Sequence, residues 1–301
     1  MHLHWKTDLG VDVLGRFKDQ KAQENYFATY DAILRKWPVP AEDLDVETRF
    51  GPTRVRRSGT GQGTPIVLLH GVMGTSLSWY SYVAELAERH TVYAVDTIGE
   101  PGRSVQTRPV QSGQDQADWL ADVLAGLGHE KFHLVGISRG AMIALDLAMR
   151  STDRIAGVIA FEPGGFGIIG LRFVLWSFGQ MFRWLLPAPI LRRIMSGDPH
   201  VRRTLAPLLL RGLKYKPHFP PLYEFTDDQL RAIEVPVHFV LGERCAVHDA
   251  RAVAARVEAL NPRLRAEVVP GATHALTMEQ PDLTISRILT LVGDDRADLP
   301  E

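Results

Sequence analysis

The passage from Lys131 to Met149, KFHLVGISRGAMIALDLAM, restricts this chain more than any other. Phe132 to Ile137 is a short apolar run with β-branched members, which reads as a buried strand. Arg139 to Met149 then sets its apolar residues at helical spacing. The joint between them, Gly136-Ile137-Ser138-Arg139-Gly140, is a G-x-S-x-G pattern. Such short patterns of small residues arise by chance, so the flanking strand and helix carry the inference. A strand that turns sharply into a helix strains the central residue and lifts its hydroxyl above the sheet. The glycines on either side keep Cβ atoms out of the crowded joint. The adjoining helix N-terminus favours developing negative charge. Ser138 is the candidate nucleophile.

The same alternation extends to both sides. Pro65 to Leu69 reads as a buried strand ending in His70-Gly71, and Leu77 to Arg89 as a helix. Thr91 to Val95 is a strand ending in Asp96, Gln114 to Leu127 a helix, and Ile155 to Phe161 a strand ending in Glu162-Pro163. The pattern breaks after Gly164 and resumes with the strand Val235 to Leu241. The helix Ala250 to Leu260, the strand Ala266 to Val269 and a helix after His274 complete it. This spacing predicts a parallel sheet covered on both faces, with ligands at the carboxyl ends of its strands. Upstream, Gln23 to Trp37 can form an amphipathic helix ended by Pro38 and Pro40. Asp45 to Phe50 and Thr53 to Arg57, around Gly51-Pro52, predict an antiparallel hairpin.

Gly164 to about Asp228 is rich in Trp, Phe, Leu, Arg and Pro and carries no strand signal, so it reads as an inserted helical cap. The expected division is an N-terminal helical extension (1–44), a core (45–163 and 229–295) and the cap (164–228). At 301 residues the chain could hold one large α/β domain or two small ones. A net charge of −1 supplies no global field toward nucleic acid or acidic membranes. No run reaches ~18 uninterrupted apolar residues, and the N-terminus lacks a signal-peptide core, so no transmembrane segment is expected. Cys245 is the single cysteine, which forbids an internal disulfide and suits a reducing compartment. The expectation is a cytoplasmic monomer or homodimer that binds no nucleic acid.

With Ser138 on its elbow, His70-Gly71 after an earlier strand and Gly271-Ala272-Thr273-His274 near the C-terminus, the chain resembles the α/β-hydrolase superfamily. The likeness covers roughly residues 45 to 292. Asp96-Thr97-Ile98-Gly99-Glu100-Pro101-Gly102-Arg103-Ser104 looks like that family's D-x-x-G-x-G-x-S loop with one residue inserted. The stretch around Tyr26 to Arg54, with GATHALTMEQP from Gly271 to Pro281, resembles bacterial carboxylesterases of the naproxen-esterase type. The resemblance implies an α/β-hydrolase fold: a mostly parallel central sheet, helices on both faces and an inserted helical cap. It implies a serine hydrolase that cleaves a carboxylic ester through an acyl-enzyme.

A serine hydroxyl is a poor nucleophile until a base removes its proton, and an imidazole suits that task. His274, after the last strand and a glycine-containing turn, is the candidate base. His133 and His238 lie within strands, while His2, His4, His129, His200 and His218 lie in polar or cap regions. Family geometry implies oxyanion donors from the amides of Val72 and Arg139. The acid is the departure. The family's usual G-x-x-D or G-x-x-E after the strand Val237 to Leu241 reads Gly242-Glu243-Arg244-Cys245 here, and a neutral thiol cannot balance an imidazolium. Glu162 stands where some haloalkane dehalogenases carry their acid, and RIAGVIAFEPGGF resembles their local pattern. Glu162 is the favoured acid. Glu243 or Asp249 after a loop shift, and a Ser–His dyad with Cys245 as bystander, stay open. Dehalogenation is disfavoured, because that chemistry uses an aspartate where this chain has Ser138. No cofactor is expected, and no metal site: one cysteine is too few for a thiolate site, and no histidine–carboxylate cluster appears at ligand spacing.

The cap carries Phe166, Ile168, Ile169, Leu171, Phe173, Trp176, Phe178, Phe182, Trp184, Leu185 and Leu186, so a substrate with an apolar portion is expected. From Gly164 to Pro221 the basic residues, among them Arg172, Arg183, Arg192, Arg193, Arg202, Arg203, Arg211, Lys214 and Lys216, outnumber the acidic Asp198. They fit a solvated helix face, a carboxylate-bearing substrate, or docking on a carrier protein or membrane surface. Two rival functions stand beside the esterase: a cyclase, lyase or acyltransferase on the same fold, and a non-catalytic ligand-binding relative.

Overall fold

The computed structural model describes residues 14–167, 170, 173, 175, 176, 179 and 199–293. Of the expected cap residues, Ile168, Ile169, Leu171, Phe178, Phe182, Trp184, Leu185, Leu186, Arg172, Arg183, Arg192 and Arg193 lie outside the described residues.

The described strands are β1 (Arg16–Phe17), β2 (Ala41–Val46), β3 (Thr53–Ser58), β4 (Gly63–Leu69), β5 (His90–Val95), β6 (Phe132–Ile137), β7 (Ile155–Phe161), β8 (Tyr215–Lys216), β9 (Val237–Gly242) and β10 (Leu264–Val269). Eight of them form one sheet in the order β10-β9-β7-β6-β4-β5-β3-β2. From β10 to β5 neighbours run parallel, and β3 and β2 close the far edge antiparallel. The strand before Ser138, β6, lies in the middle, flanked by β4 and β7.

The period of two along each strand splits the core into two layers. In β4, Val67 and Leu69 join one apolar cluster and Ile66 and Leu68 the other, all fully buried. The first layer is covered by α3 (Gly113–Leu127) and α4 (Arg139–Ala148), and the second by α1 (Gln20–Leu34) and α2 (Val83–Ala87). Asp19 caps α1 by accepting from the Ala22 amide at 2.7 Å. The remaining described helices are α5 (Pro199–Gly212), α6 (Asp227–Arg231), α7 (Ala250–Leu260), α8 (Leu276–Glu279) and α9 (Pro281–Gly293).

Three expectations need correcting. The hairpin's first strand is Ala41–Val46 rather than Asp45 to Phe50, because charge pairing fixes the register: Asp45 meets Arg54 at 2.7 Å and Asp43 meets Arg56 at 2.6 Å. The helix expected over Leu77 to Arg89 is a 3₁₀ turn, Ser76–Trp79, followed by the short α2. Thr75 caps that turn, and Asp96 accepts from the Ser76 amide at 2.8 Å, which ties it to the end of β5. The stretch without strand signal contains β8, whose two residues pair antiparallel with β1. A bridge that short shows no periodicity.

Candidate active site

The elbow forms as its residues require. Ser138 has φ 53° and ψ −111° and immediately precedes α4. A Cβ on Gly136 would lie 2.4 Å from the backbone of Ala141, and one on Gly140 would lie 2.3 Å from the Leu69 carbonyl. Only hydrogen fits at either place. The same packing brings the loop after β4 to the nucleophile, since a Cβ on Gly71 would sit 3.6 Å from that of Ser138.

Among the described residues, the non-glycine positions with positive φ are Met73, Ser138 and Glu162. All three are in this site. Each such conformation costs on the order of 1–3 kcal/mol and persists only where its surroundings hold it, so backbone strain is concentrated at the site.

His274 Nε2 lies 3.1 Å from Ser138 Oγ, and His274 Nδ1 lies 3.3 Å from Glu162 Oε2. The histidine loop is braced by Glu279, which accepts from the Thr273 amide at 2.9 Å and its hydroxyl at 2.7 Å. Glu162 continues the sheet beyond β7, its amide donating to the Val240 carbonyl at 3.0 Å. Its carboxylate is buried and also accepts from the Gly242 amide. A Cβ on Gly242 would lie 2.7 Å from Glu162 Oε1, so the glycine of the Gly242-Glu243-Arg244-Cys245 segment makes room for an acid from the next strand.

The alternative acids face other partners. Glu243 is exposed, accepting from Arg251 at 2.8 Å and from the Gly271 amide at 3.0 Å, and these bonds lower its pKa. Asp249 caps α7 by accepting from the amides of Arg251 and Ala252. Cys245 Sγ is 3.4 Å from His274 Nδ1. Burial, with the Glu162 carboxylate adding to it, pushes the thiol up to about 12, so it is neutral near pH 7.

His70 is no base candidate: its Nε2 accepts from the Thr97 amide at 3.0 Å and its Nδ1 donates to the Gly71 carbonyl at 2.8 Å. The Met73 amide is engaged by Glu100. Among the described residues, no hydrogen bond engages the amide of Val72 or Arg139. Phe173 and Trp176 meet the His274 ring edge-on, with centroids at 5.6 and 5.8 Å. Phe166 instead packs on Phe225 and Phe239 in the core.

The expectation of no metal ligands rested on spacing along the chain. In space, Glu162, Cys245 and His274 offer ligand atoms within 4.8 Å of one another. A cation there would occupy the imidazole nitrogen that faces Glu162, so it would compete with the Ser138–His274–Glu162 contacts rather than add to them.

The alpha/beta hydrolase family matches residues 66–287. The chain belongs to that family. This hydrolase is 30% identical to the uncharacterized carboxylesterase nap of Bacillus subtilis strain 168, over 88% of its own length and 91% of that protein. It is also 30% identical to carboxylesterase YbfK of the same organism, over 89% and 93% of the two chains. The crystal structure of naproxen esterase from Bacillus subtilis superposes with a TM-score of 0.78 at 28% identity, covering 91% and 99% of the two chains.

Sequence reasoning missed two buried groups of the hydrolase. His248, three residues beyond Cys245, brings Nε2 to 3.6 Å from Glu162 Oε2. Burial lowers its pKa, which keeps it neutral near pH 7. Glu100 pairs with Arg139 at 2.8 Å, both side chains being nearly inaccessible. The signal that could have pointed to Glu100 is the extra residue between Gly99 and Gly102, where Glu100-Pro101 stands in place of one residue of the D-x-x-G-x-G-x-S loop. Among the described residues, no helix is long and apolar enough to cross a membrane.

Proposed function

We propose that this hydrolase cleaves carboxylic esters through an acyl-enzyme on Ser138. The observation that carries the reading is the contact series Ser138 Oγ–His274 Nε2 and His274 Nδ1–Glu162 Oε2, at 3.1 and 3.3 Å. His274 accepts the hydroxyl proton as Ser138 Oγ attacks the carbonyl carbon, and Glu162 orients and supports the imidazolium. The amides of Val72 and Arg139 receive the oxyanion. His274 returns the proton to the departing alkoxide. Water then gives a proton to His274 and attacks the acyl carbonyl, and His274 passes that proton to Ser138 Oγ as the acyl–oxygen bond breaks and the acid leaves. Cys245 takes no part, since a neutral thiol does not stabilise an imidazolium. The names of the two Bacillus carboxylesterases support esters as the substrate class. Phe173 and Trp176 against His274 support an apolar substrate portion and a cap contributed by residues 164–228. A cytoplasmic monomer or homodimer without cofactor is part of the same reading.

p-Nitrophenyl esters of graded chain length, followed in the pre-steady state, are expected to give a burst of nitrophenol. Absence of a burst with every ester would favour the cyclase, lyase or acyltransferase alternative. A fluorophosphonate probe is expected to label Ser138 promptly and to leave Ser138→Ala unlabelled. No labelling would favour the non-catalytic binder.

A further inference from the structure

The oxyanion site of this reading draws on two separate segments, the loop after β4 and the elbow after β6. We infer that Glu100 is a positioning residue that fixes these segments against each other, holding the Met73 amide on one carboxylate oxygen and the Arg139 side chain on the other. The inference rests on the assignment of the Val72 and Arg139 amides as oxyanion donors.

One end of the Glu100 carboxylate meets the turn that carries Val72. The Gly74 amide donates to the Gly71 carbonyl at 3.0 Å, closing a four-residue turn with Val72 and Met73 at its centre. Met73 has φ 59°. A positive φ at that third position is the mark of a type II turn, which favours glycine or asparagine there. Methionine favours the alternative, in which the Val72–Met73 peptide flips over. Glu100 Oε2 accepts from the Met73 amide at 2.5 Å. After a flip, the Val72 carbonyl would face this carboxylate, and the two oxygens would repel. Glu100 therefore selects the strained turn and anchors the backbone on which the Val72 amide sits.

The opposite end of the same carboxylate meets Arg139. Arg139 Nε donates to Glu100 Oε1 at 2.8 Å, with side chains 3% and 0% exposed. The guanidinium also lies over the Phe219 ring, 3.9 Å from its centroid. Arg139 is the first residue of α4, so fixing its side chain fixes the helix start that presents its amide. Hydrogen bonds to a carboxylate with little water to compete are stiff. The loop bearing Glu100 is anchored too, because Asp96 accepts from the Ser76 amide at 2.8 Å and the Arg103 amide at 2.7 Å. Glu100, in the loop after β5, thus joins the two halves of the oxyanion site.

The test compares Glu100→Gln with Glu100→Gln/Arg139→Met, using p-nitrophenyl butyrate, a trifluoromethyl ketone and thermal unfolding. The ketone carbon bonds Ser138 Oγ, the hydroxyl proton passes to His274, and the carbonyl oxygen becomes an alkoxide in the oxyanion site. Glutamine places an N–H against one of the two donors, so Glu100→Gln is expected to lower kcat about 10- to 100-fold with KM within about twofold. Affinity for the ketone should fall by the same factor as kcat/KM. The double variant removes the orphaned guanidinium, so its Tm should return toward wild type while kcat stays low. A purely structural Glu100 predicts that kcat recovers with Tm, which would overturn the inference. A folded Glu100→Gln enzyme within about threefold of wild-type kcat, or a loss confined to KM, would overturn it as well. Fluorophosphonate labelling separates the two levels: an unlabelled wild type removes the Ser138 reading and this inference with it. A labelled wild type with an unaffected Glu100→Gln removes this inference alone.

Discussion

The ends of β6 and β9 face the same histidine, yet they follow different rules. At β6 the backbone itself is the constraint. Ser138 holds φ 53°, and neither Gly136 nor Gly140 has room for one more carbon, so motif and geometry describe the same thing. At β9 the constraint is functional under the proposed mechanism: something must place a carboxylate beside His274 Nδ1. Many backbones meet that demand, and here the group comes from Glu162 at the end of β7, with Cys245 left on the β9 loop. A site element defined by backbone shape is pinned to its motif. One defined only by where a charge must arrive can move to a neighbouring strand.

Removing the pinned element is expected to have the largest effect. Ser138→Ala should lower kcat by on the order of 10⁴- to 10⁶-fold, measured on p-nitrophenyl butyrate with active-site titration to exclude contaminating esterase. Activity within tenfold of wild type would detach the elbow from the chemistry. The movable element comes next. Glu162→Gln should lower kcat by about 10³- to 10⁴-fold, while Cys245→Ala changes it by less than about threefold. The opposite order would return the acid's role to the β9 loop and erase the contrast between the two ends.

This contrast also accounts for what was legible in the sequence. The strands β6 and β7 and the helix α7 stand where the apolar patterns put them, because buried strands and amphipathic helices write their period into the chain. The pairing of His274 with Ser138 was legible because each follows a strand through a recognisable turn. Glu162 was legible through its resemblance to the acid position of some haloalkane dehalogenases, once Cys245 stood in the acid's usual place. The second carboxylate contact, from the Gly242 amide, was not, since it depends on how closely β7 and β9 lie side by side. The strand Ala41–Val46 escaped for a related reason. Its AEDLDV sequence alternates weakly and is held by charges on β3, a cross-strand property that no local window contains.

The two glycines that serve these strand ends should separate fold from function. Gly136→Ala drives a methyl group into the backbone of Ala141 and should destabilise the protein by about 3 kcal/mol or more, read by denaturant unfolding. Gly242→Ala meets the Glu162 side chain, which can yield, together with the carbonyls of Ala272 and Thr273 at 2.7 and 2.8 Å. Its expected cost is a shifted carboxylate and histidine loop: kcat down about 10²-fold with a smaller loss of stability than in Gly136→Ala. If Gly242→Ala keeps full turnover, the carboxylate does not need the position seen here.

The smallest effect concerns the thiol that β9 retains. Its pKa is pushed up to about 12 by burial and by Glu162, so the folded protein binds the thiol proton more tightly than the unfolded chain does. The sign follows from that: the contribution is complete below the unfolded value of about 8.5 and is lost as pH rises from there toward the folded value. The stability difference between wild type and Cys245→Ala should therefore shift against wild type between pH 9 and 11, with little change below about pH 8. At pH 9, iodoacetamide should alkylate native Cys245 on the order of 10³-fold more slowly than the urea-unfolded chain, from thiolate population alone. Alkylation at comparable rates would mean that a thiolate sits beside His274. It would then be a charged partner for the imidazole, and the two strand ends would no longer differ in kind.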